Sequence, residues 1–434
     1  MGIFTFFVKM LYTAGMTVFA ALCALGAEKI LAHELEHTGF TVLRRQRGRV
    51  SFTAASAPQQ FAQRRDGRNM SRPEFPSGEA ALSALVRANL WLRTADRVYI
   101  EAASFPAHNF DALYEGVRRV RWQDIFPKNV RVVVDKVRIY QSKLNSERSV
   151  QSISHKAVYD ALGAAWRMRT LPETGERREI RIYLERNQVS VLLDTSGEPL
   201  YRRGYRHSGG TAPLRETLAA ILLHTLSWRR KTPLHDAFCG SGTIPLEAAL
   251  YACNIAPGLC RPFGFETLPC FLDQAGASLV ARLRAEAAAA IRTDCLVRIS
   301  GSDADPQAVA MAAENARRAF SAAEAEMERA GVSGKIPQPR FSAADFRSLE
   351  APFAEGLLLS NPPYGIRIGS QEEASALYRE MAVLRGIFPG WAMGFVSAEK
   401  NFEEDFGCRA DSVRQFRSGK LDSFFYVYKT KAEY

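Results

Sequence analysis

The tetrapeptide Asn361-Pro362-Pro363-Tyr364 follows a greasy run, Leu357 to Leu359, and ends it abruptly. Proline removes an amide donor and fixes φ, so the carbonyls here have little backbone pairing to compete for them. With the Asn361 side-chain oxygen they form a set of acceptors suited to the two hydrogens of an amine. An exocyclic amine on a nucleobase is a poor nucleophile, because its lone pair is delocalised into the ring. Acceptors on both hydrogens favour the pyramidal geometry that frees that pair, and they stabilise the positive charge that develops during attack. Tyr364 is placed to stack on such a base. The plainer reading is a turn, since Asn-Pro marks turns wherever it occurs.

Three further features fall at the ends of apolar runs. In "DAFCGSG", Asp236 to Gly242, the glycines Gly240 and Gly242 let the backbone pass close to a ligand, and the helix that follows offers free amides. The spacing is not that of a Walker loop, and no lysine follows. Asp303, in "GSDADP", is placed to accept from two ribose hydroxyls, with Asp305 as a competitor whose plain role is to cap the next helix. Asp345, in "AADF", suits an adenine amine. Each acid alone reads as a turn or cap residue; three in order after a glycine loop are harder to explain that way.

The elements that must position these residues alternate between strand and helix from about residue 206. "TAPLRETLAAILLHTLSW" reads as a helix with Thr211 and Pro213 in its first turn. "TPLHDAFCGSGTIPLEAALYA" reads as strand, glycine turn, helix, and the pattern repeats through Asp303, Asp345 and the Asn-Pro-Pro-Tyr turn. Such alternation builds a doubly wound parallel sheet, with ligands outside the carboxyl ends of its strands. "KLDSFFYVYK" reads as part of an antiparallel edge hairpin. Residues 253–275, rich in Pro, Gly and aromatics, read as a surface excursion or a substrate-facing wall. Upstream, "VLRRQRGRVSF" is a strand pair, followed by an exposed loop through "QRRDGRNMSRPEFPSGEA". A helix over 77–90, a strand over 97–103, a helix over 109–117, a strand over 130–137 and a hairpin near 179–197 complete a mixed α/β half.

The whole chain agrees with this division. Its 434 residues suit two or three domains, and 47% hydrophobic with 24% charged residues is ordinary globular composition. The net charge of +11 lies entirely within residues 1–205, while residues 206–434 balance. That asymmetry points to a polyanion-binding half, nucleic acid first, against a plain reading of a solvated basic surface. Arg44, Arg45, Arg47, Arg49, Lys136, Lys143 and Lys156 are the candidate phosphate contacts. The seven cysteines show no C-x-x-C spacing, so no zinc site is signalled, and reduced thiols in a cytosol are expected. The first 27 residues have some character of a secretory signal. They read better as a strand-helix start near Met16, preceded by an unstructured or mis-assigned extension.

D-x-F-x-G-x-G together with [ND]-P-P-[YFW] resembles the class I S-adenosylmethionine-dependent methyltransferases that act on amino groups. More narrowly, "YRRGYRHSGGTAPLRETLAAILL", "DAFCGSGTIPLEAA", "IAPG", "GSDADP" and "NPPYG" resemble the bacterial THUMP-domain RNA methyltransferases, often labelled N6-adenine-specific DNA methylases. These are similar to the guanine-N2 methyltransferase module acting on large-subunit ribosomal RNA. "ALGAEKILAHELEHTGF", "NLWLRTADRVYIEAASFPAHNFDALYEGVRRVRW" and "SKLNSERSVQSISHKAVYDAL" extend the resemblance to about residue 16.

The resemblance implies an α/β fold: a Rossmann-like class I methyltransferase domain over 206–434, with a mostly parallel doubly wound sheet and an antiparallel C-terminal edge. An α+β module precedes it, ferredoxin-like over 16–75 and a THUMP RNA-binding region over 76–200, with residues 1–15 outside the folded unit. It implies S-adenosylmethionine as cofactor, lined by Asp236, Phe238, Gly240, Gly242, Thr243, Asp303, Asp345 and Asn361, with Thr211, Pro213 and Arg215 packing over it. Asn361, Pro362, Pro363 and Tyr364 become the target-base site. The chain departs from the family at Ala237, where proline is common, and at Ser418-Gly419, where Asn-Gly is frequent. The expected activity is methyl transfer to the exocyclic N2 of a guanine in 23S ribosomal RNA, by a cytoplasmic enzyme with RNA as partner and neither membrane nor metal. Transfer RNA as substrate, adenine-N6 methylation of RNA or DNA, and a non-catalytic RNA-binding assembly factor are the alternatives.

Overall fold

The structure is a computed structural model and describes residues 17–54, 78–206, 214–295, 298–363, 370–418 and 421–430. The extension expected over 1–15 and most of the exposed loop after residue 54 lie outside these residues. Two sheets of seven strands each organise the chain.

The first sheet contains β1 (Phe19–Leu22), β2 (Phe40–Gln46), β3 (Arg49–Ala54), β4 (Arg97–Pro106), β5 (Arg131–Tyr140), β6 (Arg177–Glu185) and β7 (Gln188–Asp194), in the order β2-β3-β1-β4-β7-β6-β5. Its helices are α1 (Glu28–His37), α2 (Glu79–Trp91), α3 (Phe110–Arg118) and α4 (Glu147–Trp166). Local signals set their limits. The Asn109 side chain accepts from the Ala112 amide at 2.8 Å and starts α3, and Ser146 does the same for α4 through Ser149 at 3.2 Å. Arg186 and Asn187, both at positive φ, make the tight turn between β6 and β7.

Strands β1 to β4 with α1 and α2 form a β-α-β-β-α-β unit with strands in the order 2-3-1-4, the ferredoxin-like arrangement. That unit runs from Phe19 to Pro106, which moves the boundary expected at residue 75. The second helix and fourth strand complete the first fold, because β4 pairs with β1 from Phe19↔Ile100 to Leu22↔Arg97. β4 then also pairs with β7, so both N-terminal regions share one continuous sheet.

The second sheet contains β8 (Leu234–Asp236), β9 (Ile299–Asp303), β10 (Arg340–Ala343), β11 (Leu357–Ser360), β12 (Ala392–Ser397), β13 (Ser412–Ser418) and β14 (Leu421–Tyr428). Their order is β10-β9-β8-β11-β12-β14-β13. The first five run parallel, and β14 joins β12 antiparallel. The helices α5 (Glu216–Thr225), α6 (Thr243–Ala252), α7 (Gln274–Ala289), α8 (Pro306–Arg329) and α9 (Gln371–Met381) connect or cover them. This is the class I methyltransferase topology, and the strand order reverses between β8 and β11, where a crevice opens at the carboxyl edge. Helix α5 begins at Glu216, three residues beyond Pro213. Arg215 holds an extended conformation (φ −68°, ψ 143°) at the N-cap, and Thr211 and Pro213, expected in the first turn, lie outside the described residues.

A continuous apolar core runs from Phe19 in the first sheet to Val427 in the second. The 253–275 segment is not a free surface excursion, because it packs into the joint between the sheets. Arg261 in this segment is buried and donates to the carbonyls of Pro199 (2.6 Å), Glu198 (2.7 Å), Arg202 (3.2 Å) and Ser196 (3.3 Å). Arg93 reaches across to the Ile255 carbonyl at 2.6 Å, and the Phe265 amide donates to the Thr195 carbonyl at 2.8 Å.

Candidate active site

Asp236 ends β8 and is buried. Its Oδ1 accepts from the Phe238 amide at 3.1 Å, which bends the chain into the glycine turn. Burial pushes its carboxyl up to about 7, and the nearby Asp303 adds to the rise. The Ala237 amide donates to Ser360 Oγ at 2.9 Å, so the ends of β8 and β11 are tied across the crevice. Ser360, adjacent to the Asn-Pro-Pro-Tyr stretch, was not among the residues singled out from sequence.

The glycine turn needs both of its glycines. Gly240 has φ +51°, and no described atom lies within 4 Å of where a Cβ would stand, so this side of the turn is open. Gly242 has φ +82°, and a Cβ there would meet Ala312 Cβ at 2.9 Å and the Phe341 ring at 3.1 Å. One glycine leaves space for a ligand, while the other permits close packing. Thr243 opens α6, and Arg206 donates to its hydroxyl and to the Leu214 carbonyl (3.0 Å), while pairing with buried Glu216 at 3.4 Å. Glu216 directly follows Arg215, expected to cover the cofactor, and Arg206 pairs with Glu216, but nothing in the sequence marks the pairing of these two residues.

Asp303 ends β9 half-buried. Its Oδ2 accepts from the Gly240 amide at 2.9 Å and its Oδ1 from the Asp305 amide at 3.0 Å, so it links the glycine turn to the next strand end. Asp305 caps α8 through the Gln307 amide at 2.8 Å, which is the plain role foreseen for it. Asp345 caps the short turn Phe346–Ser348, and Arg347 grips it through its amide (2.9 Å), Nε (2.9 Å) and Nη2 (2.6 Å). The Arg347 contacts hold its carboxyl down at about 2. Phe238 packs on Phe346 with ring centroids 5.0 Å apart, forming an aromatic wall beside Asp345. Arg215 stacks over Tyr201 at 4.6 Å and lies 3.6 Å from Asp96, which also accepts from Thr217 at 2.6 Å. Arg215 thus joins the two halves of the chain.

Asn361 and Pro362 leave β11 at the carboxyl edge, Pro362 buried and Pro363 half-buried. The Asn361 Oδ1 is buried and has no hydrogen-bond partner among the described residues. Stranded acceptors of this kind are rare and costly in folded proteins. Tyr364, Thr211 and Pro213 lie outside the described residues.

The basic candidates divide. Arg45, Arg47, Lys136, Lys143 and Lys156 are exposed. Arg47 lies over Tyr140 at 5.8 Å and Lys156 over Tyr114 at 5.7 Å. Arg44 makes a two-pronged pair with Glu101 at 2.8 and 3.0 Å. Arg49 is 1% exposed, stacks on Tyr183 at 4.2 Å and pairs with Glu185 at 2.9 Å, so it fastens the sheet and presents no charge to solvent. Among the described residues, no group of three or more His, Cys, Asp or Glu could hold a metal, and no helix is long and apolar enough to cross a membrane.

The family model described as the RMKL-like methyltransferase domain matches residues 203–425, the whole of the second sheet except the end of β14. The chain belongs to this methyltransferase family. A second model, the RlmL ferredoxin-like domain, matches residues 18–57 and 77–99, which agrees with the β-α-β-β-α-β unit. YpsC of Bacillus subtilis (strain 168), named as a candidate RNA methyltransferase, is 36% identical over 355 residues, covering 80% of this chain and 86% of that protein. The ribosomal RNA large subunit methyltransferase K/L of Syntrophotalea carbinolica is 31% identical over 413 residues. That match covers 93% of this chain, which spans only 52% of the longer enzyme. Among solved structures, SMU.472, described as a candidate methyltransferase complexed with SAH, superposes with a TM-score of 0.77 at 30% identity, over 97% of this chain and 100% of that one.

S-adenosylmethionine is the cofactor of this fold family, and the residues present suit it. The space beside Gly240 admits a ligand against the backbone, and the Asp303 carboxylate, bonded to the Gly240 amide, borders it.

Proposed function

We propose that this chain methylates the exocyclic N2 of a guanine in RNA, with 23S ribosomal RNA as the substrate. The observation that carries the reading is the buried, unpartnered Asn361 Oδ1 at the end of β11. An acceptor left without a partner costs stability, and an amine N–H entering the crevice would supply that partner. Bound S-adenosylmethionine supplies an electrophilic methyl carbon. The protein's part is to hold the amine: Asn361 Oδ1 accepts one N–H, and the carbonyl chain of Asn361-Pro362 accepts the other. Both contacts strengthen as charge grows on the nitrogen, and that differential is what accelerates the step. The amine's own proton leaves once the bond has formed, so no strongly basic side chain is required. The exposed cations of the first sheet would grip phosphates and give affinity, with RNA shape assisting the choice of site. The names of the relatives, which refer to RNA and to large-subunit ribosomal RNA, support RNA over DNA.

The test is direct. Ribosomal RNA from cells lacking the protein is incubated with the full chain and labelled S-adenosylmethionine, then digested to nucleosides. N2-methylguanosine is the expected product. N6-methyladenosine alone would replace guanine by adenine, and no product despite cofactor binding would indicate a non-catalytic RNA-binding factor. Asn361→Ala should lower transfer by about a hundredfold or more, the scale of losing one preorganised contact to developing charge. Cofactor affinity should stay nearly unchanged, and undiminished turnover would remove Asn361 from the chemistry.

A further inference from the structure

The carboxyl end of β12 forms a second wall beside Asn361. β11 and β12 pair in parallel with Ser360 opposite Phe395, so Asn361 leaves the sheet level with Val396, and the turn through Ser397 and Glu399 follows directly beside it. The turn after β12 is fixed from several directions. Ser397 Oγ accepts from the Glu399 amide at 2.9 Å and lies 3.0 Å from Tyr378 Oη. Tyr426 Oη donates to the carbonyls of Glu399 (2.9 Å) and Lys400 (3.2 Å). A turn held this firmly presents its side chain in a set direction.

That side chain is the half-buried Glu399. Among the described residues its carboxylate makes one long hydrogen bond, 3.4 Å from Gln371 Nε2, and no ion pair with a Lys or Arg within 4.0 Å. Gln371 is the first residue of α9, the helix that follows the Asn-Pro-Pro-Tyr segment. The carboxylate therefore lies between the end of β12 and the start of α9, with acceptor capacity to spare.

The chemistry of the neighbouring base decides what such a group would do. On guanine, the N2 amine lies next to N1–H, a donor. On adenine, the N6 amine lies next to ring nitrogens that only accept. A carboxylate accepts and does not donate, so beside Asn361 it fits the guanine edge and sets lone pair against lone pair on adenine. We infer that Glu399 is the specificity residue of the site, accepting N1–H of the target guanine while Asn361 holds its N2. This inference rests on the guanine reading above and gives that reading a residue.

The experiment uses the full chain and ribosomal RNA from cells lacking the protein, with nucleoside analysis of wild type, Glu399→Gln, Glu399→Ala and Glu399→Asp. Melting temperature and S-adenosylmethionine affinity are measured on each variant, and both should match wild type. Glu399→Gln and Glu399→Ala should lower kcat/KM for N2-methylguanosine formation by about tenfold to a hundredfold, the loss of one charge-assisted hydrogen bond. Glu399→Gln, which can also donate, should raise the proportion of N6-methyladenosine, and Glu399→Asp should recover part of the rate. If wild type forms N2-methylguanosine and Glu399→Gln and Glu399→Ala match it in rate and selectivity, the inference is overturned while the guanine reading stands. If wild type forms only N6-methyladenosine, both are overturned.

Discussion

Asp236 is held in a dry position where its carboxyl is raised to about 7, and that has consequences on both sides of neutrality. The unfolded chain gives up this proton near 4, the folded chain near 7, so between those values the folded state binds more protons. Stability of the ligand-free protein should therefore fall as pH rises from about 4 to about 7, by at most about 1.4 kcal/mol per unit from this group. Thermal melting across that range checks it, and Asp236→Asn should flatten the dependence. A cationic ligand near the carboxylate favours its ionised form. Affinity for S-adenosylmethionine should accordingly rise with pH up to about 7 and level off above, with proton release on binding. Calorimetry in buffers of different ionisation enthalpy would show this, and an affinity independent of pH in the wild type would count against contact between Asp236 and the ligand's charge. At this scale the sequence was informative about which residues end strands and less so about their partners. The engagement of Asp345 by Arg347 was within reach, two residues away. The burial of Arg49 was not, because its partner Glu185 is far along the chain and the β2–β3 pairing slips between Val42 and Arg44.

The glycine turn shows how an element divides its demands among neighbours. Gly240→Ala meets no described atom and should cost only the left-handed backbone, about 1–2 kcal/mol, while narrowing the space for a ligand. Gly242→Ala carries the same strain and also drives a methyl group into Ala312 and Phe341, so its melting temperature should fall further. Melting curves and cofactor titrations on the two variants test this: Gly240→Ala should lose more affinity than stability. Equal melting temperatures would mean that α8 yields freely. The parallel, doubly wound character of the second sheet was legible because strand-helix alternation leaves few topologies, right-handed crossovers being nearly obligatory. Helix α5 starts at Glu216 because Arg215 is fixed in an extended conformation where it contacts Tyr201 and Asp96 of the other half, a tertiary constraint that local sequence does not carry. The ferredoxin-like boundary was drawn too early because the sequence pauses in a polar stretch there, and only pairing across the sheet shows that β4 belongs with β1.

At the scale of the molecule, the apolar core passes from one sheet to the other without a break, and buried Arg261 and Arg93 bond to carbonyls across the joint. The two halves should unfold together in urea, with coincident transitions by circular dichroism and tryptophan fluorescence. Arg261→Met leaves several buried carbonyls without a donor and should cost about 2–4 kcal/mol. Two separated transitions in the unmodified protein would show that the halves are independent.

The stiffness of this joint has a consequence for any long substrate. If the exposed cations of the first sheet grip RNA as proposed, a joint packed in this way would hold grip and crevice at one separation, like a calliper of constant opening. A nucleotide would then be chosen by its distance from the gripped helix as well as by its identity. An RNA lengthened by one base pair between grip and target would present the wrong nucleotide to a site that cannot move to meet it.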